Sequence, residues 1–143
     1  MDMVDGSDFP SDRSERFASP SPHLWKGAGW RLGRQPHHPP YTTLLGSDDW
    51  AMELTEAEWQ AFCQALQQLR HQWQVMRPHL MAEESLTLEQ GLDLLTLIAT
   101  GEPDHFRLYL RLHQGRASEG VWSPSAVAGL VQQVDRLAAT LGD

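Results

Sequence analysis

Cysteine is almost missing from this chain. Cys63 stands alone among 143 residues, so no intramolecular disulfide can form, and a reducing compartment suits the lone thiol. Long hydrophobic runs are missing too. No stretch approaches the ~18 apolar residues that a membrane helix needs. The N-terminus is acidic and has no apolar signal core, which argues against secretory and organellar targeting. Together these gaps predict a soluble, cytoplasmic protein. Positive charge is scarce as well: 11 Lys and Arg stand against 19 Asp and Glu, for a formal net charge of −8. A surface this acidic repels nucleic acid on average, so anion binding has to come from a local patch. Of the cations only Lys26 is a lysine; the rest are arginines, which pair and stack more specifically.

What is present suits one ordinary globular domain. The hydrophobic fraction is 41% and the charged fraction 21%, and the length is sufficient to bury a core without covalent staples. Residues 1–25 are rich in Ser, Asp and Pro and show no periodicity. They cannot bury enough apolar surface to offset ordering and read as a disordered acidic tail. Residues 26–143 then form a single α+β domain.

Within that domain, "GAGWRLG" (27–33) reads as a short strand bracketed by glycines, and "RQPHHPP" (34–40) as a proline loop. "YTTLLGSDDWAMEL" (41–54) alternates on both sides of a turn-forming "GSDD" and predicts a hairpin. Thr55 and Glu58 have capping-box spacing ahead of a long helix. Its apolar stripe is Trp59, Phe62, Cys63, Leu66, Leu69, Trp73, Met76 and Leu80, with glutamines opposite and Pro78 to end or kink it. Strands follow at 85–91, 92–101, 105–115 and 119–123. Ser123 and Pro124 then open a final helix through about Leu141. The order is strands–helix–strands–helix.

Catalytic and metal-binding patterns are not found. His37 and His38 sit in the proline loop, and His71 and His79 are eight residues apart, whereas ligands on one helix face lie at i and i+4. Cys63 lies on the apolar stripe and reads as a small core side chain. Asp48–Asp49 and Glu83–Glu84 are adjacent acids in turns, which point into water. Ser47 lacks the second glycine of a nucleophile elbow. The strand tryptophans Trp30, Trp50 and Trp122 read as core, and Trp25 adjoins the tail. No cofactor or metal is implied.

One stretch stands out chemically. "HFRLYLRLHQGR" (105–116) alternates, so that Phe106, Leu108, Leu110 and Leu112 share one side of a strand and Arg107, Tyr109, Arg111 and His113 the other. It contains three arginines and no acid. Cations for phosphates beside an aromatic for base stacking are what single-strand platforms use, and Arg31 and Arg116 extend the patch if their strands are neighbours. A carboxylate-rich protein surface satisfies the same face. One copy of so small a patch binds weakly on an acidic body, and a homo-oligomer that aligns several copies would strengthen it.

Three blocks, "GWRLG" (29–33), "SDDWAMELTEAEWQAFC" (47–63) and "GRASEGVWSPSAV" (115–127), resemble an uncharacterised cyanobacterial family, domain-of-unknown-function family 1818. The likeness runs from about Lys26 to the C-terminus. Members of that family look like the single-stranded-DNA-binding transcriptional regulator fold of the plant Whirly proteins. The resemblance therefore implies an antiparallel strands–helix unit repeated twice, and it supplies no catalytic residue. The expectation is a non-enzymatic binding module. Its ligand is either single-stranded nucleic acid, in a regulatory role, or a protein partner in an interaction or assembly role.

Overall fold

A computed structural model describes residues 24–115 and 118–141 of the chain. The expected tail up to residue 23, and Arg116 of the expected patch, lie outside the described residues. Strands β1 (Leu24–Gly27), β2 (Trp30–Arg34), β3 (Tyr41–Gly46) and β4 (Ala51–Thr55) form one antiparallel sheet in sequence order. Helix α1 (Glu56–Met76) and a 3-10 turn (Arg77–His79) follow. Strands β5 (Leu86–Gly91), β6 (Leu95–Glu102), β7 (His105–Leu112) and β8 (Glu119–Trp122) form a second antiparallel sheet, again in order, and helix α2 (Pro124–Leu141) closes the chain. The fold is α+β, with a four-strand meander and a helix occurring twice.

The first strands differ from expectation. The segment read as one strand over 27–33 is a hairpin that starts three residues earlier. Leu24 pairs with Gly33 and Gly27 with Trp30, so Leu24 and Trp25 belong to the sheet. A two-residue turn at Ala28–Gly29 makes this possible: Gly29 has φ +81°, a conformation that costs a glycine nothing. Arg34, assigned to the loop, is the last residue of β2 and pairs with Thr43.

Helix α1 begins as the sequence predicts. Glu58 N–H donates to Thr55 Oγ1 at 3.2 Å and Thr55 N–H donates to Glu58 Oε1 at 2.9 Å. This reciprocal box satisfies two of the donors left over at a helix start. Its buried stripe runs from Trp59 through Phe62, Leu66 and Leu69 to Trp73 and stops there. Met76, expected to continue it, is 38% exposed. The reason is local: Trp73 donates its indole N–H to Pro103 O at 2.9 Å and its ring packs at a tilt on Phe106 at 4.4 Å, so the β6–β7 turn ends the surface the helix can cover.

One core joins all layers. Trp30, Leu32, Leu45, Met52 and Leu54 come from the first sheet, and Leu95, Leu97, Leu108, Leu110, Leu112 and Trp122 from the second. Helix α1 covers β5 and β6, and α2 bridges β2 and β7. Two indoles clasp the sheets together. Trp122 of β8 donates to Gly46 O on β3 at 2.9 Å, and Trp50 donates to Val121 O on β8 at 3.0 Å. Their rings lie 4.8 Å apart. Trp50 lies flat on β8 because residue 120 is glycine: a Cβ there would stand 2.4 Å from the Trp50 ring. Gly120→Ala should therefore displace the half-exposed Trp50 and cost about 1–2 kcal/mol. Urea unfolding measures this, and a loss below ~0.5 kcal/mol would show that the indole shifts freely.

Candidate binding face

The alternation of β7 is realised in the structure. Leu108, Leu110 and Leu112 are buried, Arg107 and Arg111 are exposed, and Tyr109 is half-buried. The pairing of β5 to β8 then shows what surrounds the exposed side. Three rows run across the outer face of the second sheet. Glu89, Ile98, Tyr109 and Val121 form the middle row. Thr87, Thr100 and Arg107 lie on one side of it. Thr96, Arg111 and Glu119 lie on the other. Val121 is 45% exposed, so the middle row is apolar with an acid at its β5 end.

The face is not uniformly basic. Tyr109 donates its hydroxyl proton to Glu119 Oε1 at 2.5 Å. That bond, ahead of a smaller burial contribution, raises the phenol above its ordinary value, so Tyr109 is a fixed, neutral donor. Glu119 also stands directly across from Arg111. With Glu89, the face carries two carboxylates against the two arginines of β7. Among the described residues, no carboxylate forms an ion pair with Arg107 or Arg111.

The other expected members behave differently. His113 sits at the end of β7 with both ring nitrogens engaged: Nε2 with Thr96 Oγ1 at 2.7 Å and Nδ1 with Asp93 O at 3.0 Å. It closes the sheet beside the face. Arg31 is not part of the patch. It lies on the first sheet, where its guanidinium donates to Ser47 O at 2.9 Å and Trp50 O at 3.0 Å and holds the turn that carries Trp50. Arg116 lies outside the described residues.

Sequence reasoning missed a second charged constellation. Arg34 is 4% exposed and forks onto Glu56, with Nη1 to Oε1 at 2.6 Å and Nη2 to Oε2 at 3.2 Å. Thr43 accepts from Nη1 at 2.9 Å, Thr42 donates to Glu56 Oε1 at 2.6 Å, and the guanidinium lies 5.2 Å from the Trp59 ring centre. The Arg34 bond holds the Glu56 carboxyl below its ordinary range, against the opposing effect of partial burial. The only sequence signal was an arginine 22 residues before a helix-start glutamate. The network ties β2 and β3 to the start of α1.

Cys63 packs against the core, and burial pushes its thiol up to about 12, which leaves no thiolate for chemistry at neutral pH. His37, His38, His71, Asp48 and Asp49 are all exposed. Among the described residues no group of three His, Cys, Asp or Glu side chains is placed to hold a metal ion, and no helix is long and apolar enough to cross a membrane.

The chain is similar in structure to a protein of unknown function from Prochlorococcus sp. NATL2A, assigned to the DUF155 family, with a TM-score of 0.75 at 25% identity. That likeness covers 80% of this chain and 97% of the other. No curated protein matches the sequence. Residues 25–137, from β1 well into α2, match the domain-of-unknown-function family DUF1818, and the chain belongs to that family.

Proposed function

We propose that the protein is a non-enzymatic interaction module whose outer β5–β8 face binds another protein. One observation carries this reading: a row of half-buried Ile98 and Tyr109 and exposed Val121 on the outer face is flanked by both Arg and Glu side chains. Protein interfaces favour this arrangement of apolar and aromatic centre, arginine and polar rim. The mixed signs give such a face register and selectivity rather than general stickiness. A reducing cytoplasm suits the single, unpaired Cys63.

The two exposed arginines on either side of Tyr109 favour a second reading, single-stranded nucleic acid. The twofold strand–helix order, which resembles the Whirly fold, points the same way as an analogy of fold only. The electrostatics weigh against it. Glu119 engages Tyr109 and opposes Arg111, and a net charge of −8 surrounds the patch. Two phosphate contacts would give a log–log salt slope of only about −1.5.

The triple variant Arg107→Gln, Tyr109→Ser, Arg111→Gln distinguishes the readings, because it leaves the buried side of β7 untouched. We expect it to fold and to lose the partner that the tagged wild-type chain captures from its host, with capture by wild type unaffected by nuclease. Capture that nuclease abolishes, together with oligonucleotide binding at ~50 mM salt that weakens linearly in log–log against salt, would replace the protein reading with the nucleic-acid one. A triple variant that still captures the partner would remove this face from the function.

A further inference from the structure

Strand β5 ends its sheet, and its hydrogen bonds show which groups are left over. Leu92 N–H donates to Leu95 O at 2.8 Å, and the register runs on unbroken from Gly91 opposite Thr96 to Leu86 opposite Gly101. Bonded and non-bonded pairs alternate along an antiparallel ladder. Leu88 and Gln90 therefore turn their backbone N–H and C=O toward β6, and Thr87, Glu89 and Gly91 turn theirs outward. Among the described residues no strand pairs with that side.

Edge strands are normally blunted by short length, lysine, proline or a bulge. Strand β1 is four residues long and carries the exposed Lys26. At the β8 edge, Trp50 occupies the carbonyl of Val121. Strand β5 has none of these devices: its six residues, LTLEQG, include no lysine or proline, and its register does not shift. Apolar surface adjoins it. Leu86 and Leu88 are half-buried on its inner side. Gln90 donates to Gln72 of α1 at 3.2 Å, so the helix flank that bears Gln72 runs beside β5. Val75 and Met76, three and four residues on, share that flank and are 54% and 38% exposed.

We infer that β5 pairs antiparallel with β5 of a second copy of this chain, about a twofold axis at Leu88, which joins two four-stranded sheets into one. The edge is self-complementary in this register. The outward groups of Thr87 meet those of Glu89 on the second copy, and the reverse, for about four main-chain hydrogen bonds. Leu88 meets its own counterpart in the close, non-bonded pair between them, and the two α1 flanks approach with Val75 and Met76 on them. Centring the axis on Glu89 instead would set like charges opposite. Centring it on Gln90 would carry the pairing past Gly91, where β5 ends. A twofold contact closes on itself, so the edge is consumed rather than left to add further chains. The pairing stands on the edge and the helix flank, whatever the outer face binds.

Sedimentation equilibrium of the full-length chain tests the pairing. We expect a dimer at ~100 µM, where an interface with a dissociation constant of even ~10 µM is mostly formed. Thr87→Pro removes an outward donor while leaving the β5–β6 bonds in place, and should give a monomer. Two further variants read the register from the same solvent-exposed position and keep the test open if the proline disturbs folding. Thr87→Glu sets a carboxylate opposite Glu89 at both symmetric places and should weaken the dimer about tenfold, whereas Thr87→Lys should tighten it about tenfold. The variant Arg107→Gln, Tyr109→Ser, Arg111→Gln should dimerise as wild type does, so loss of the dimer and loss of partner capture are read separately. A wild-type monomer at that concentration overturns the proposal, as does an equal effect of Thr87→Glu and Thr87→Lys. So does a dimer that Thr87→Pro and Thr87→Glu leave intact, or one that the outer-face variant dissolves, since the contact would then lie elsewhere.

Discussion

Trp122→Ala is expected to cost about 4–5 kcal/mol of stability, near the top of the range for deleting a buried aromatic. The indole is fully buried. Its ring packs at a tilt 4.8 Å from that of Trp50 and 6.1 Å from that of Phe62 of α1, and its N–H is the partner of Gly46 O. Truncation therefore combines a large cavity, the loss of two aromatic contacts and a buried carbonyl left without its donor. The surroundings cannot easily collapse, because three separate elements meet there. Trp122→Phe isolates the hydrogen-bond part: it keeps most of the volume and should cost about 1–2 kcal/mol. At roughly 4 °C per kcal/mol for a domain of this size, the alanine variant should melt about 16–20 °C below wild type. A loss under ~2 kcal/mol would show that the two sheets hold together without the clasp.

The clasp also shows how far local pattern can be followed. Alternation placed Trp122 and the β7 leucines on the buried side, and three- and four-residue spacing placed Trp59 through Trp73, because these signals depend only on neighbours in sequence. Strand pairing is different. Nothing near Arg111 indicates that Glu119 will stand opposite it, so a segment that reads as basic becomes half of a mixed face once β8 is in register. Arg31 fails for the same reason: its strand joins the other sheet, and its charge goes to carbonyls of a turn. Arg34 looked like loop because "RQPHHPP" contains three prolines, yet the strand continues for one residue beyond where the prolines end it. That one residue is the buried cation.

The Arg34–Glu56 pair carries the other large expected effect. Glu56→Gln keeps the shape but exchanges one acceptor oxygen for an NH2 donor, and it leaves the guanidinium of Arg34, with a side chain 5% exposed, without its counter-charge. Breaking a fully buried pair costs about 3–5 kcal/mol. Glu56 is 38% exposed, and solvent screening of its carboxylate puts the expected loss near the lower end, about 3 kcal/mol. Arg34→Met should cost less, because the freed carboxylate can hydrate and Thr42 can still donate to it. The double variant Arg34→Met, Glu56→Gln should then be more stable than Glu56→Gln alone, since it no longer buries an unmatched charge. The pH dependence has a definite sign. Arg34 lowers the folded-state value of Glu56, so the pair's contribution is complete above the ordinary glutamate value of about 4.3 and fades as the pH falls through the lowered one. Urea unfolding at pH 7 should give the full gap between wild type and Glu56→Gln, and the gap should narrow as the pH drops below about 4. A gap that stays constant down to pH 3, or a double variant no more stable than Glu56→Gln, would mean that Arg34 is held by its threonines and Trp59 rather than by the ion pair.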